Sequence, residues 1–144
     1  MVKPGVVRDA ETVTRLWLHE VSRVFFDRLI NDQDREWFKE LAVDLLGRQF
    51  KSRWGMEDVF GSKKILFGDL LRLDSDNKDY EEIKDLAKLI KVLEDKLDDY
   101  NLDFNSKTKL VFFEDAIDHI LRISRVLRQP RGNAMLIGVG GSGK

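Results

Sequence analysis

The chain has 144 residues, of which 42% are hydrophobic and 35% charged, a composition typical of one compact domain with room for a small appendage. Lysine and arginine number 25 against 26 acidic residues, so the formal net charge of -1 excludes a general attraction to nucleic acid or an anionic membrane. With no cysteine and two histidines, disulfides and thiolate or histidine-rich metal sites are excluded as well.

Residues 1–8 contain Pro4 and Gly5 and are predicted to form an extended lead-in. They lack the basic-then-apolar pattern of a secretion signal, and no run approaches the ~20 apolar residues that span a bilayer. We therefore expect an intracellular protein without a membrane segment.

Two amphipathic helices are predicted next, over residues 9–30 and 33–50, because apolar residues recur there at three- and four-residue spacing. Asp9 can cap the first helix, and Asn31-Asp32 can end it and cap the second. The connection is short, so we expect the two helices to be antiparallel neighbours.

The first helix carries an incomplete metal motif and three arginines. His19-Glu20 begins like the HExxH sequence of zinc proteases, but Arg23 stands where the second histidine is required, so no metal site is predicted. Arg15, Arg23 and Arg28 could reach phosphates or acidic groups across an interface. The alternative, preferred from the residues alone, is a solvated face with local ion pairs worth ~0.3–0.5 kcal/mol each.

Residues 51–79 show a looser pattern, with glycines between two apolar patches. We predict irregular structure that packs back onto the helices, with a short helix possible at residues 68–73. The stretch Asp74-Ser75-Asp76-Asn77 resembles part of a calcium loop, but the required glycine and glutamate are not at the right offsets. A surface turn is predicted there instead.

A third long helix is predicted over residues 80–100, with apolar residues at the heptad spacing of a helix seam. The seam covers fewer than three heptads, which favours packing within one bundle over a free-standing coiled coil. We expect this helix to share one core with the first two.

A polar connector at residues 101–109 marks the predicted boundary between two domains, residues 1–105 and residues 106–144. The fourth helix, residues 110–128, has acidic side chains in its first turns and arginines in its last two, in accord with the helix dipole. Pro130 ends it. We expect this helix to stand partly apart from the other three.

The final seven residues match a phosphate-binding loop, with four residues between Gly138 and Gly143 and with Lys144 following. Their backbone N–H groups can surround a polyphosphate while the lysine reaches its terminal phosphates. Residues 134–137 are apolar and predict a buried parallel strand that leads into the loop. The predicted nucleotide-binding residues are Gly138, Val139, Gly140, Gly141, Ser142, Gly143 and Lys144.

Three segments resemble the opening of the fourth AAA+ module of a dynein heavy chain. They are Leu110-Val111-Phe112-Phe113-Glu114-Asp115-Ala116, His119-Ile120-Leu121-Arg122-Ile123-Ser124-Arg125 and Pro130-Arg131-Gly132-Asn133-Ala134. The front half resembles the helical lid that closes the third module, through Arg15-Leu16-Trp17-Leu18-His19-Glu20, Arg23-Val24-Phe25 and Asp27-Arg28-Leu29. The versions Pro130-Arg131-Gly132-Asn133 and Gly140-Gly141-Ser142 are more similar to axonemal than to cytoplasmic dyneins.

The resemblance implies a mainly α fold: a helical bundle (an AAA+ lid), then a helix, the first strand and the P-loop of a truncated α/β AAA+ module. It implies ATP-driven movement along microtubules in the full-length protein, with beating of cilia or flagella. ATP or ADP with Mg²⁺ would bind at residues 138–144, and Arg15 or Arg23 would be the lid arginine that senses nucleotide in the third module. The motif does not choose between the two arginines.

The resemblance further implies, as partners, the remaining AAA+ modules of the same heavy chain, dynein intermediate and light chains, and microtubules, but neither nucleic acid nor membrane. The expected location is the cytoplasm, the cytoskeleton and the axoneme of a cilium. Both nucleotide sites are incomplete within these residues, so we expect no catalytic residue, no tightly bound cofactor and no hydrolysis by the segment alone. The alternative is a helical protein–protein interaction domain with an incidental glycine-rich tail.

Overall fold

A computed structural model describes residues 9–61, 64–73 and 78–138. These residues are mainly helical, as predicted, and contain one small antiparallel sheet. The chain divides into two compact units, Met1–Leu110 and Val111–Lys144. No helix among the described residues has both the length and the apolarity that crossing a membrane requires.

The first helix, α1 (Ala10–Val24), begins where its sequence supplies a cap. Asp9 is extended, and its carboxylate accepts hydrogen bonds from the backbone N–H of Thr12 at 2.7 Å and from the Thr12 hydroxyl at 2.8 Å. The helix ends earlier than predicted, because a 3-10 helix at Phe26–Arg28 tightens the chain and Leu29 is extended. This tighter turn brings Phe26 and Leu29 against the core.

The second helix, α2 (Asp32–Phe50), agrees closely with the prediction. Asn31 caps it by accepting a hydrogen bond from the backbone N–H of Asp34 at 2.7 Å. The helix ends at Lys51, which adopts a left-handed conformation with φ of 52°, and Ser52 N–H donates to the Leu46 carbonyl.

Residues 51–85 contain more regular structure than the sequence predicted. A short helix, α3 (Met56–Phe60), follows α2, and a 3-10 helix at Leu70–Arg72 lies within the short helix predicted at residues 68–73. Two strands, β1 (Phe67–Gly68) and β2 (Glu81–Glu82), pair antiparallel with Phe67 opposite Glu82. The predicted surface turn at residues 74–77 lies outside the described residues.

The third long helix, α4 (Leu86–Asp103), begins later than predicted. The chain before it is extended, because β2 pairs with β1 and Ile83 N–H donates to the Leu66 carbonyl at 2.9 Å. Asp85 then caps the helix through the backbone N–H of Lys88. Ile83 is buried in this extended segment, although its spacing fits a helical seam.

The core of the first unit lies between α1, α2 and α3. Its fully buried residues are Leu18, Phe38, Ala42, Leu46 and Val59, with partly buried aromatic side chains around them. In α4, Leu89 is also fully buried but lies outside this cluster, and that helix packs against the 3-10 helix Leu70–Arg72. Of the three long helices predicted to share one core, only the first two do so.

The second unit contains α5 (Glu114–Leu127), which buries Ile117 and Leu121. After it the chain turns through Arg131, whose φ is 61°, and Gly132 N–H donates to the Gln129 carbonyl at 2.8 Å. The predicted strand at residues 134–137 is not formed among the described residues. A strand needs a pairing partner, and the one described sheet is the β1–β2 pair.

We expect Leu46→Ala to lower the free energy of unfolding by about 2–5 kcal/mol, because Leu46 is 0% exposed and its truncation leaves a cavity in the core. Urea unfolding followed by circular dichroism measures the loss. Gln49→Ala, an exposed position on the same helix, is the control and should change stability by less than about 0.5 kcal/mol. A Leu46→Ala loss below about 1 kcal/mol would contradict this account of the core.

Two glycines should respond oppositely to alanine. A Cβ at Gly132 would lie 1.8 Å from the Val126 carbonyl oxygen, so Gly132→Ala should displace the turn after α5 and cost about 1–3 kcal/mol. Gly47 lies within α2 with its nearest obstacle at 4.0 Å, so Gly47→Ala should stabilise by about 0.5–1 kcal/mol. Amide exchange in α5 reports the effect of Gly132→Ala, and thermal unfolding reports that of Gly47→Ala. Stability changes of the same sign in both variants would contradict this prediction.

Candidate functional site

The predicted phosphate-binding loop falls almost entirely outside the described residues. Gly138 is described and exposed, whereas Val139, Gly140, Gly141, Ser142, Gly143 and Lys144 are not described. The segment before the loop is exposed at Met135, Leu136 and Ile137, by 83%, 75% and 83%. The assignment of this loop to nucleotide therefore stays a prediction from its sequence pattern.

The two candidate sensor arginines on α1 have different surroundings. The Nε and a terminal nitrogen of Arg15 lie 2.6 Å and 2.5 Å from Glu82 Oε1, and its guanidinium stands 5.9 Å from the centre of the Trp54 ring. Arg23 Nε lies 3.2 Å from Asp27 Oδ2, one helical turn onward. The predicted local pairing is thus found for Arg23, whereas Arg15 reaches a residue 67 positions away. Arg28 is exposed.

His19 holds the sheet region against α1. Its side chain is buried, with Nδ1 3.0 Å from the Ile65 carbonyl oxygen and Nε2 3.1 Å from the Tyr80 hydroxyl. Since a carbonyl only accepts, Nδ1 is the donor in the first contact. The Tyr80 hydroxyl also lies 3.0 Å from Glu20 Oε1, so His19 contacts the residues that precede both strands and Glu20 reinforces the contact with Tyr80.

No metal centre is formed by these groups. Among the described residues no cluster of three or more histidine, aspartate or glutamate side chains is arranged to hold a metal ion. His19 is instead a hydrogen-bonded residue of the interior.

A polar cavity of about 450 Å³ opens beside Arg15. It is lined by Asp9, Glu11, Thr12, Arg15, Lys64, Glu82, Ile83 and Lys84. Three acidic and three basic side chains thus meet around one space. The hydrogen bond from Thr12 N–H and that from its hydroxyl hold the pKa of the Asp9 carboxyl below its ordinary value.

Glu82 is the most unusual of these side chains, because it is only 6% exposed and its two oxygens are unequally satisfied. Oε1 accepts from Arg15, whereas Oε2 is buried without a hydrogen-bond partner. Lys84 Nζ lies 3.9 Å from Oε2, beyond hydrogen-bond range. The sequence offered no local signal for Glu82, since its role depends on strand pairing that carries it to α1.

Two parts of the chain match known protein families. Residues 3–60 match the family described as AAA+ lid domain, and residues 108–144 match P-loop containing dynein motor region D4. The first match contains α1, α2, α3 and Arg15, and the second contains α5 and the phosphate-loop pattern.

Similarity to curated proteins extends along the whole chain. Dynein axonemal heavy chain 6 of Homo sapiens is 45% identical over 143 residues, which is 98% of this chain and 3% of that protein. Dynein axonemal heavy chain 1 of Rattus norvegicus is 46% identical over 147 residues, covering 100% of this chain and 3% of that protein. Dynein axonemal heavy chain 3 of Mus musculus is 41% identical over 150 residues, which is 96% of this chain and 4% of that protein.

The chain therefore spans only about 3–4% of the length of these relatives. Within that span the two family matches occur in the same order as the two structural units. On this agreement of family regions and end-to-end similarity, the chain belongs to the dynein heavy chain family, as a segment in which an AAA+ lid region precedes the start of motor region D4.

Proposed function

We propose that residues 1–105 close the third AAA+ module of an axonemal dynein motor and that residues 106–144 begin the fourth. ATP hydrolysis by the complete heavy chain then drives movement along microtubules, and with it the beating of a cilium or flagellum. The observation that carries this proposal is the order of the lid region and the P-loop region in one chain that is similar throughout to axonemal heavy chains. The activity belongs to the longer protein.

In that protein, residues 138–144 hold the phosphates of ATP or ADP, with Mg²⁺ supplied alongside the nucleotide. The backbone N–H groups of the glycines and the Lys144 ammonium make the contacts. We expect only weak binding by the 144 residues alone, because the segment that leads into the loop is exposed and is not packed as a strand that would preorganise the loop.

Arg15, rather than Arg23, is the better candidate for the arginine that senses nucleotide in the third module. Arg15 lines the cavity and is paired with a residue from another element, so its pairing can change when that element or a ligand moves. Arg23 is paired within its own helical region by Asp27 and does not line the cavity. The guanidinium of Arg15 suits a phosphate better than a lysine ammonium would, because it can donate two parallel hydrogen bonds to phosphate oxygens.

The partners in this proposal are the other AAA+ modules of the same heavy chain, dynein intermediate and light chains, and microtubules. The location is the cytoplasm and cytoskeleton, within the axoneme. The alternative of a helical interaction domain with an incidental glycine tail is less favoured, because the glycine tail falls inside the match to motor region D4.

The proposal is tested by Lys144→Ala in a heavy chain that contains this segment. Loss of a charge-assisted hydrogen bond worth ~1.5–3 kcal/mol should weaken nucleotide retention at the fourth module at least about tenfold. Bound nucleotide per heavy chain and microtubule gliding velocity are the measurements. Lys107→Ala, which removes an exposed lysine of the connector, is the control. Equal retention and velocity in both variants would refute the assignment of the loop.

The lid assignment is tested separately by comparing Arg15→Ala with Arg23→Ala in the same heavy chain. Removal of an arginine–phosphate contact should lower ADP affinity at the third module at least about tenfold for Arg15→Ala. Arg23→Ala should stay within about twofold, since that arginine serves a helical ion pair worth ~0.3–0.5 kcal/mol. Fluorescent-ADP titration measures both, and the reverse order would transfer the role to Arg23.

A further inference from the structure

We propose that Glu82 is an exchangeable counter-ion: it holds Arg15 while the cavity is free of anions and passes to Lys84 when a polyphosphate draws Arg15 away. The choice of a polyphosphate as the ligand rests on the proposed role of Arg15. The exchange itself rests on a difference between the two Glu82 oxygens: Oε1 accepts from Arg15, whereas Oε2 has no hydrogen-bond partner.

Burial is what makes a replacement partner necessary. Glu82 is 6% exposed, and a buried carboxylate that loses its cation is strongly destabilising because its lost hydration is no longer compensated. Arg15 can therefore leave Glu82 at low cost only if a second cation nearby forms a hydrogen bond with the carboxylate. Oε2, buried and without a hydrogen bond, is the acceptor that such a cation would use.

Lys84 is placed to be that cation. Its Nζ lies 3.9 Å from Oε2, so an approach of about 1 Å would make a charge-assisted hydrogen bond. Its side chain is 76% exposed and has a flexible stem, so it can move without disturbing the core. The other charged groups around the cavity are Asp9, Glu11 and Lys64.

Arg15 in turn has room to move. Its side chain is 23% exposed at the edge of a cavity whose volume of about 450 Å³ falls within the range of small-ligand sites. The backbone that carries Glu82 is meanwhile held in place, because Tyr80 is bonded to His19 and Glu20, and Phe67 pairs with Glu82 across the sheet. The guanidinium can therefore leave while the carboxylate stays.

The experiment uses the 144-residue chain with inorganic pyrophosphate as the probe. The ¹H–¹⁵N resonance of Arg15 Nε, assigned by its loss in Arg15→Lys, should shift on titration. Lys84→Met should weaken the apparent pyrophosphate affinity about fivefold, the factor that corresponds to one ion pair of about 1 kcal/mol. Lys91→Met, which removes an exposed charge of α4 that does not line the cavity, should leave the affinity unchanged.

Glu82→Gln provides the opposite test, since Arg15 is then held by a neutral amide and pyrophosphate should bind about fivefold more tightly. Thermal unfolding establishes that this variant is folded, and Lys84→Met, altered at an exposed side chain, carries the test if it is not. No shift of the Arg15 resonance up to about 10 mM pyrophosphate, or equal affinities in Lys84→Met and Lys91→Met, would overturn the proposal.

This outcome is separable from that of the proposed function. If Arg15→Ala leaves ADP affinity unchanged in the complete motor, the sensor role fails, whereas the partner exchange measured with pyrophosphate on the 144-residue chain stands. If the pyrophosphate titrations fail while Arg15→Ala weakens ADP binding, the exchange at Glu82 is wrong and the sensor role remains.

Discussion

The attachment of the small sheet to α1 through His19 is the constraint on which the candidate lid site depends. One imidazole ring contacts Ile65 and Tyr80, which lie 46 and 61 residues further along the chain. Phe67 and Tyr80 pack beside the same ring. A single buried side chain thus contacts the residues that precede both strands, and β2 carries Glu82 to Arg15. Without it the arginine would face the cavity with no nearby carboxylate from β2.

The core of α1, α2 and α3 gives this attachment a rigid base. The buried face of α2 consists of Phe38, Ala42 and Leu46, spaced four residues apart, so it lies along one side of the helix. Trp37 and Leu41, one position earlier, are 61% and 37% exposed. A close-packed core resists small displacements, so a change in the partner of Arg15 can be confined to side chains at the edge of the unit.

The two units place the proposed nucleotide contacts in different physical settings. Arg15 belongs to a folded unit and already has a buried counter-ion, so a ligand there must compete with Glu82. The phosphate-loop pattern follows apolar residues that are exposed, so no packed strand leads into it among the described residues. The two proposed contacts therefore differ in what surrounds them, although both lie in one short chain.

The sequence by itself determined the features that depend on neighbouring residues. Capping side chains and apolar spacing predicted α1, α2 and α5, and the loop pattern with its preceding motifs led to the dynein heavy chain family. The late start of α4 is not evident from the sequence, because Ile83 fits a helical period although it lies in the extended chain after β2. The pairing of Arg15 with Glu82, the burial of His19 and the separation of Leu89 from the first core were decided only by tertiary structure. Each joins residues far apart in the chain, and no local period or motif encodes which distant carboxylate, carbonyl or side chain a residue will meet.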